Sequence, residues 1–133
     1  MADGTSRIAT DGTTILAADV FSGLHTADAD SRDLLAFRPV PNIALDAEAD
    51  GGAVYVAHGT YGVVALQRAA GLNGEMLSFV GSAHGPTWNY TSDLAQSATH
   101  LYAADGYGGV QVVDKATLQT TTTLLASATD PVR

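Results

Sequence analysis

A chain of 133 residues is long enough for one ordinary domain, and with 46% apolar residues it can bury a core. Its charge is sparse, 15%, and one-sided. The net charge is −8 and Lys115 is the only lysine, which argues against nucleic acid and against anionic membrane surfaces. There is no cysteine, so neither disulfide nor thiolate chemistry is open to it.

The opening MADGTSR lacks the apolar stretch of a signal peptide, and no run approaches the ~18 apolar residues of a membrane span, so no membrane insertion is expected. As it stands, the chain reads as soluble and untargeted. Along the chain, SRIAT (6–10) reads as a short strand, and Asp11-Gly12 suits a tight turn needing positive φ. ILAADVFSGLHTAD (15–28) reads as two strands around a turn. DADSRD (28–33) is a polar turn without helical periodicity, and Leu34–Phe37 is a further strand. The order then recurs. IALDAEA (43–49) leads through Asp50-Gly51 to VYVAHGTYGVVALQ (54–67) and Met76–Val80. TSDLAQS (91–97) leads to LYAADGYGGVQVVD (101–114) and Thr121–Leu125.

Set in register, Ala18, Ala57 and Ala104 coincide, as do Gly23, Gly62 and Gly109, and Leu24, Val63 and Val110. The offsets are 39 and 47 residues, periods that mean solenoids, propellers or arrays. The runs are β-branched and apolar on both faces, as in sheets sandwiched between neighbours. Three units of four antiparallel strands predict an all-β chain of three β-propeller blades: about 1–38, 39–85 and 86–133.

At this point the residues resemble a known family. LYAADGYGGVQVVD resembles the repeat of LVIVD-repeat propeller proteins, roughly Tyr-x-Ala-Asp-Gly, Gly-Gly or Gly-Leu, then an apolar strand closing in Asp. The middle unit departs with His58 for the Asp and ends in Gln67. The first departs with Val20 for the Gly and places His25-Thr26 in the apolar strand. The resemblance covers nearly the whole chain through its repeats. It implies a propeller fold and an extracytoplasmic or cell-surface setting, and it implies no established chemistry.

Pro39, Pro86 and Pro131 recur where a blade's outer strand gives way to the next blade, so the chain reads as three whole blades. Three blades would each have to turn through a third of a circle to close a ring, more than sheets packed ~10 Å apart can wedge. The end blades would leave apolar faces in water. Two copies, head to tail, make six blades; three make nine, beyond the usual span of about 4–8. The expectation is a homodimer; the other reading, compatible with it, is a fragment of a larger propeller that reassembles.

Candidate sites come from equivalent positions. Asp19, His58 and Asp105 share the turn after the second strand, on the face where His84, Asn89 and Asp130 also belong. Such a ring of carboxylates and imidazoles is a possible divalent metal site; an Asp there can equally cap a tight turn through backbone N–H groups, and that reading is preferred. Asp28, Asp30 and Asp33 offer oxygen ligands, but Arg32 and the missing glycine spoil a calcium loop. Trp88 and Tyr90 stand near the channel mouth, where an aromatic stacks on a ligand or packs at a junction; packing is preferred. Tyr55, Tyr61, Tyr102 and Tyr107 read as packing between blades. Arg7, Asp46 and Asp93 fall at one place in the innermost strands, lining the channel. In a head-to-tail dimer Arg7 would neighbour Asp93 of the partner.

There is no G-x-S-x-G elbow, P-loop or G-x-G-x-x-G. The first reading is therefore a non-enzymatic binding or scaffold module that assembles with itself. It presents Asp46, Asp93, Arg7, His58, His84 and Trp88 to a protein or small-molecule ligand and needs no cofactor. One alternative is a metal-assisted hydrolase of lactonase or esterase type, with its site at the channel mouth. The other is a sugar-binding oligomer, weakened because the middle unit has Pro41 where the third has Trp88.

Overall fold

A computed structural model of the chain describes residues 5–10, 12–19, 23–38, 44–71, 74–85 and 88–124. The recurrent prolines, Asp11, Asp130 and Leu125 lie outside these. Among the described residues every regular element is a strand: β1 (Thr5–Thr10), β2 (Thr14–Asp19), β3 (Gly23–Asp28), β4 (Leu34–Arg38), β5 (Asp46–Asp50), β6 (Ala53–Ala57), β7 (Val63–Gly71), β8 (Gly74–Ala83), β9 (Asp93–Gln96), β10 (His100–Ala104), β11 (Val110–Asp114) and β12 (Thr120–Leu124). They form three four-stranded antiparallel sheets in simple sequential order, β1-β2-β3-β4, β5-β6-β7-β8 and β9-β10-β11-β12. These are the three propeller blades.

The sequence register is the structural register. Ala18 pairs with Leu24, Ala57 with Val63 and Ala104 with Val110. Each blade also breaks its ladder in the same slot, between Thr26 and Ala27, Ala65 and Leu66, and Val112 and Val113. The bulge lets the outer strand curl away from the flat sheet. It leaves Val80, the extra residue in β8, exposed.

Alternation along the middle blade divides its side chains between two neighbours. Val54, Val56 and Leu66 face blade 1, where they pack with Leu16, Ala18 and Leu24. Tyr55, Ala57, Val63 and Ala65 face blade 3, against Leu94, Leu101, Ala103 and Val113. The core is thus two apolar layers, one per blade junction. The innermost strands follow one another around a common edge, with β5 packed against both β1 and β9.

One departure in the repeat has a visible consequence. Asp28 and Asp114 occupy equivalent places and build the same turn. Asp28 Oδ1 accepts the N–H groups of Asp30 and Ser31 at 2.9 and 2.8 Å. Asp114 Oδ1 accepts those of Ala116 and Thr117 at 2.8 and 3.1 Å. Each turn then needs a left-handed residue, Arg32 (φ 66°) and Leu118 (φ 59°). The middle blade has Gln67 in that slot. Without a short carboxylate to fold the backbone back, β7 and β8 run on to Gly71 and Gly74.

Gly62 shares its slot with Gly23 and Gly109, and all three have positive φ, 80°, 115° and 79°. A Cβ at Gly62 would strike the carbonyl oxygen of Ala83 and press on Trp88. At Gly51, φ is also positive (58°), but a Cβ would meet nothing. Gly51→Ala is therefore expected to cost the left-handed penalty alone, about 1–2 kcal/mol. Gly62→Ala is expected to add an overpacking cost of roughly 1–3 kcal/mol or more. Denaturant midpoints of the two variants check the ordering.

Candidate functional site

The innermost strands bring Arg7, Asp46 and Asp93 together, as their common slot requires. Asp46 is 8% exposed. Its Oδ1 accepts the N–H of Ala47 at 2.9 Å, and its Oδ2 crosses to blade 3 to accept the N–H of Leu94 at 2.8 Å. The same N–H donates to Asp93 Oδ1 at 3.0 Å. Two carboxyl groups thus converge on one donor. Burial raises the Asp46 pKa to about 7, helped by a hydrogen bond with Asp93 and by its charge; the N–H groups of Leu94 and Ala47 pull the other way. Below that value Asp46 holds a proton.

Arg7 Nη2 reaches past β5 to Asp93 Oδ2 at 3.3 Å, with the two side chains 55% and 37% exposed. Arg7 and Asp93, expected to be neighbours between chains, also meet within the single chain. A long guanidinium stem on β1 spans the shared edge to β9. At that exposure the pair is worth no more than about 1 kcal/mol.

Further along the same edge, burial and the charge of Asp93 raise the pKa of Glu48, while Lys115 lowers it. Lys115 itself is nearly buried. Its Nζ donates to Asp50 Oδ2 (2.9 Å), Gln96 Oε1 (2.8 Å) and the Ser97 carbonyl (2.6 Å), and lies 5.8 Å from the centre of the Tyr55 ring. The chain's one lysine clips blade 3 to blade 2. It borders an open cleft of about 350 Å³ that Asp50, Thr99 and Asp114 also line.

At the opposite end of the blades, Asp105 is fully buried. It accepts from the Asn89 N–H (2.9 Å), the Thr91 hydroxyl (3.2 Å) and Gln111 Nε2 (3.1 Å). Its own N–H closes the turn on the Gly109 carbonyl at 2.8 Å. His58 closes the equivalent turn on Gly62, also at 2.8 Å, and stacks on Tyr61 with ring centres 5.1 Å apart. Asp19 pairs with Gly23 in the same place. Each of the three closes its turn, and among the described residues no three His, Asp or Glu side chains converge as a metal would need.

Trp88 is buried between blades 2 and 3, its Nε1 donating to Thr120 Oγ1 at 3.3 Å. It occupies the space left by Gly62 and Gly85. His84 is exposed, its ring centre 6.2 Å from that of Trp88. Of the four repeat tyrosines only Tyr55 packs between blades. Tyr61 and Tyr107 are about half exposed, because they sit at turn tips rather than in strands, and Tyr102 lies on the outward face of blade 3.

Sequence reasoning did not find Glu48, the Lys115 clip or the crossing bond from Asp46 to Leu94. The last had a signal: an Asp at one slot in two successive inner strands.

Among solved structures, the chain is similar to the computationally designed Ika8 protein, with a TM-score of 0.50 and 10% sequence identity, over 96% of this chain and 50% of that one. It thus spans about half the length of that protein, and at this identity the likeness is one of fold. No protein-family model matches the chain, and no curated protein sequence matches it.

The proton held by Asp46 makes stability depend on pH. Between the ordinary value of 3.8 and about 7, folded Asp46 holds a proton that the unfolded chain has released. The contribution is complete below the lower value and is lost as pH rises through the upper one. The thermal midpoint is expected to be several degrees higher at pH near 5 than near 8. Asp46→Asn, locked in the uncharged state, should flatten that dependence and exceed the wild type at the higher pH. Thermal melts across this window check both.

Proposed function

We propose that this chain is a non-enzymatic binding or scaffold module that completes a propeller ring head to tail with a second copy of itself. The observation that carries the reading is how the two end faces repeat the internal ones. On the face each blade turns to its successor, the slots hold Leu16, Ala18 and Leu24 in blade 1, and Tyr55, Ala57 and Val63 in blade 2. Blade 3 fills the same slots with Tyr102, Ala104 and Val110. On the opposite face, Ala47, Val54 and Val56 correspond to Leu94, Leu101 and Ala103, and in blade 1 to Ile8, Ile15 and Ala17. The internal copies are buried. At the ends Ile8 is 70% exposed, Leu124 47% and Tyr102 36%.

Two apolar sheet faces of complementary kind on one molecule form a heterologous contact, which closes when the rotation allows. With three blades per chain, two copies give a six-bladed ring. The LVIVD-like repeat agrees with a propeller of this kind and brings no chemistry with it. The channel around Arg7, Asp46 and Asp93 and the face bearing His58 and His84 are the surfaces we assign to a protein or small-molecule ligand.

Light scattering at micromolar concentration should give about twice the 13.6 kDa chain mass. Ile8→Glu and Leu124→Glu should each leave folded chains of single mass, since both positions face water in the free chain. A wild type that stays folded and monomeric overturns the ring, and a trimer replaces six blades with nine.

A further inference from the structure

We propose that Asp93 forms a clasp between chains, accepting the backbone N–H of Ile8 from a second copy. The inference rests on the head-to-tail reading and adds the polar contact that fixes its register.

The junction between blades 2 and 3 supplies the pattern. Asp46 splits its oxygens between two donors: Oδ1 takes the N–H of the next residue in its own strand, Ala47, and Oδ2 takes that of Leu94 in the following blade. Leu94 can offer its N–H because β9 is the innermost strand, and that group points away from β10 along the free edge. Asp93 stands in the Asp46 slot one blade later, and its oxygens repeat the first half of the assignment. Oδ1 takes the N–H of Leu94, the next residue in its own strand, at 3.0 Å. Oδ2, which by the pattern belongs to the following blade, is held by Arg7 at 3.3 Å through a largely exposed contact.

The donor for that oxygen is identified by register. Leu94 pairs with Ala103, Ala47 with Val56 and Ile8 with Ala17, which are three equivalent pairs. The Ile8 N–H therefore lies on the free edge of β1 as Leu94 N–H does on β9. If blade 1 of a second chain follows blade 3 as blade 3 follows blade 2, Ile8 N–H meets Asp93 Oδ2. The junction between blades 1 and 2 is the internal contrast. Its first slot holds Arg7, which has no acceptor, and the clasp is missing there: the Ala47 N–H is taken by its own Asp46. The order Arg7, Asp46, Asp93 thus places clasps at one internal junction and at the junction between chains.

The test combines dimer dissociation constants with amide exchange on the full chain. A bond to a carboxylate at a desolvating edge should be worth ~10-fold or more in the constant. Asp93→Ala is expected to weaken the dimer by that amount both alone and in an Arg7→Ala background, with Asp93→Asn recovering part of the loss through its amide oxygen. Asp46→Ala, whose clasp is internal, should lower the unfolding midpoint and leave the dissociation constant nearly unchanged. The Ile8 amide should exchange quickly in the free chain, gain protection on dimerisation, and lose it again in Asp93→Ala. A dimer whose constant ignores Asp93→Ala in the Arg7→Ala background, or whose Ile8 amide gains no protection, overturns the clasp and leaves the ring standing. The clasp also falls if Asp46→Ala weakens the dimer as much as Asp93→Ala does. A chain that is monomeric throughout overturns both.

Discussion

A small antiparallel sheet with apolar side chains on both faces is not stable alone in water. Everything else in this molecule follows from that constraint. The middle sheet satisfies it on both sides, with Val54, Val56 and Leu66 buried one way and Tyr55, Ala57 and Val63 the other. Alternation along the strand is what lets one sheet serve two layers. Each apolar layer then belongs to a junction rather than to a blade. Burying a Leu or Val is worth about 1.5–3 kcal/mol, so stability accrues per junction and the outward faces of the end blades contribute little.

The apolar layers reach the innermost strands through Ala47 and Leu94, and along the free edge of those strands the chemistry changes. The free backbone edge of each innermost strand carries N–H groups that need acceptors. Asp46 and Asp93 supply them, at the cost of placing two carboxyl groups beside one donor. The conflict is relieved in two ways. Burial, with Asp93 alongside, raises the Asp46 pKa to about 7, so that Asp46 is uncharged below it, and Arg7 comes in on the far oxygen of Asp93. Lys115 plays a similar part further along, drawing down the pKa of Glu48 that burial and Asp93 raise. A chain with so few cations places two of them on this one edge.

Much of this was legible in the sequence. The repeat register of Ala18, Ala57 and Ala104 reappears unchanged as strand pairing, because a period-two element cannot slip without turning its apolar residues outward. The positive-φ glycines at 23, 62 and 109 marked the turns. What was not legible depended on partners distant in the chain. Tyr61 and Tyr107 look like their strand neighbours by type, yet one residue decides whether a side chain enters a layer or tops a turn. The effect of Gln67 on hairpin length was visible only as a departure from a pattern whose Asp had a structural job. Arg7 was placed correctly in its slot, but whether it meets Asp93 within or between chains depends on the reach of its side chain, which no spacing encodes. The bond from Asp46 to Leu94 is 48 residues long in sequence and needs two strands side by side.

The same edge bears on why the repeats are not identical. Three identical blades with an Asp in every slot would give every junction the same clasp, and nothing polar would distinguish one junction from another. A stack of such blades could add a further copy at either end as readily as close. Arg7 breaks that equivalence. It removes the acceptor at the first junction and places a cation where, in the proposed ring, the last carboxylate of one chain meets the first strand of the next. Each chain would then have a polar head and a polar tail of opposite character, alongside two apolar faces that by themselves carry only weak directional information. In a two-fold ring the innermost edge would hold two guanidinium groups among four carboxyl groups. Protonation of Asp46, as pH falls below about 7, would bring the charges close to balance. The apolar layers would thus supply the energy of closure, and the inner edge would decide which copy fits, in which order, and at what pH the fit is tightest.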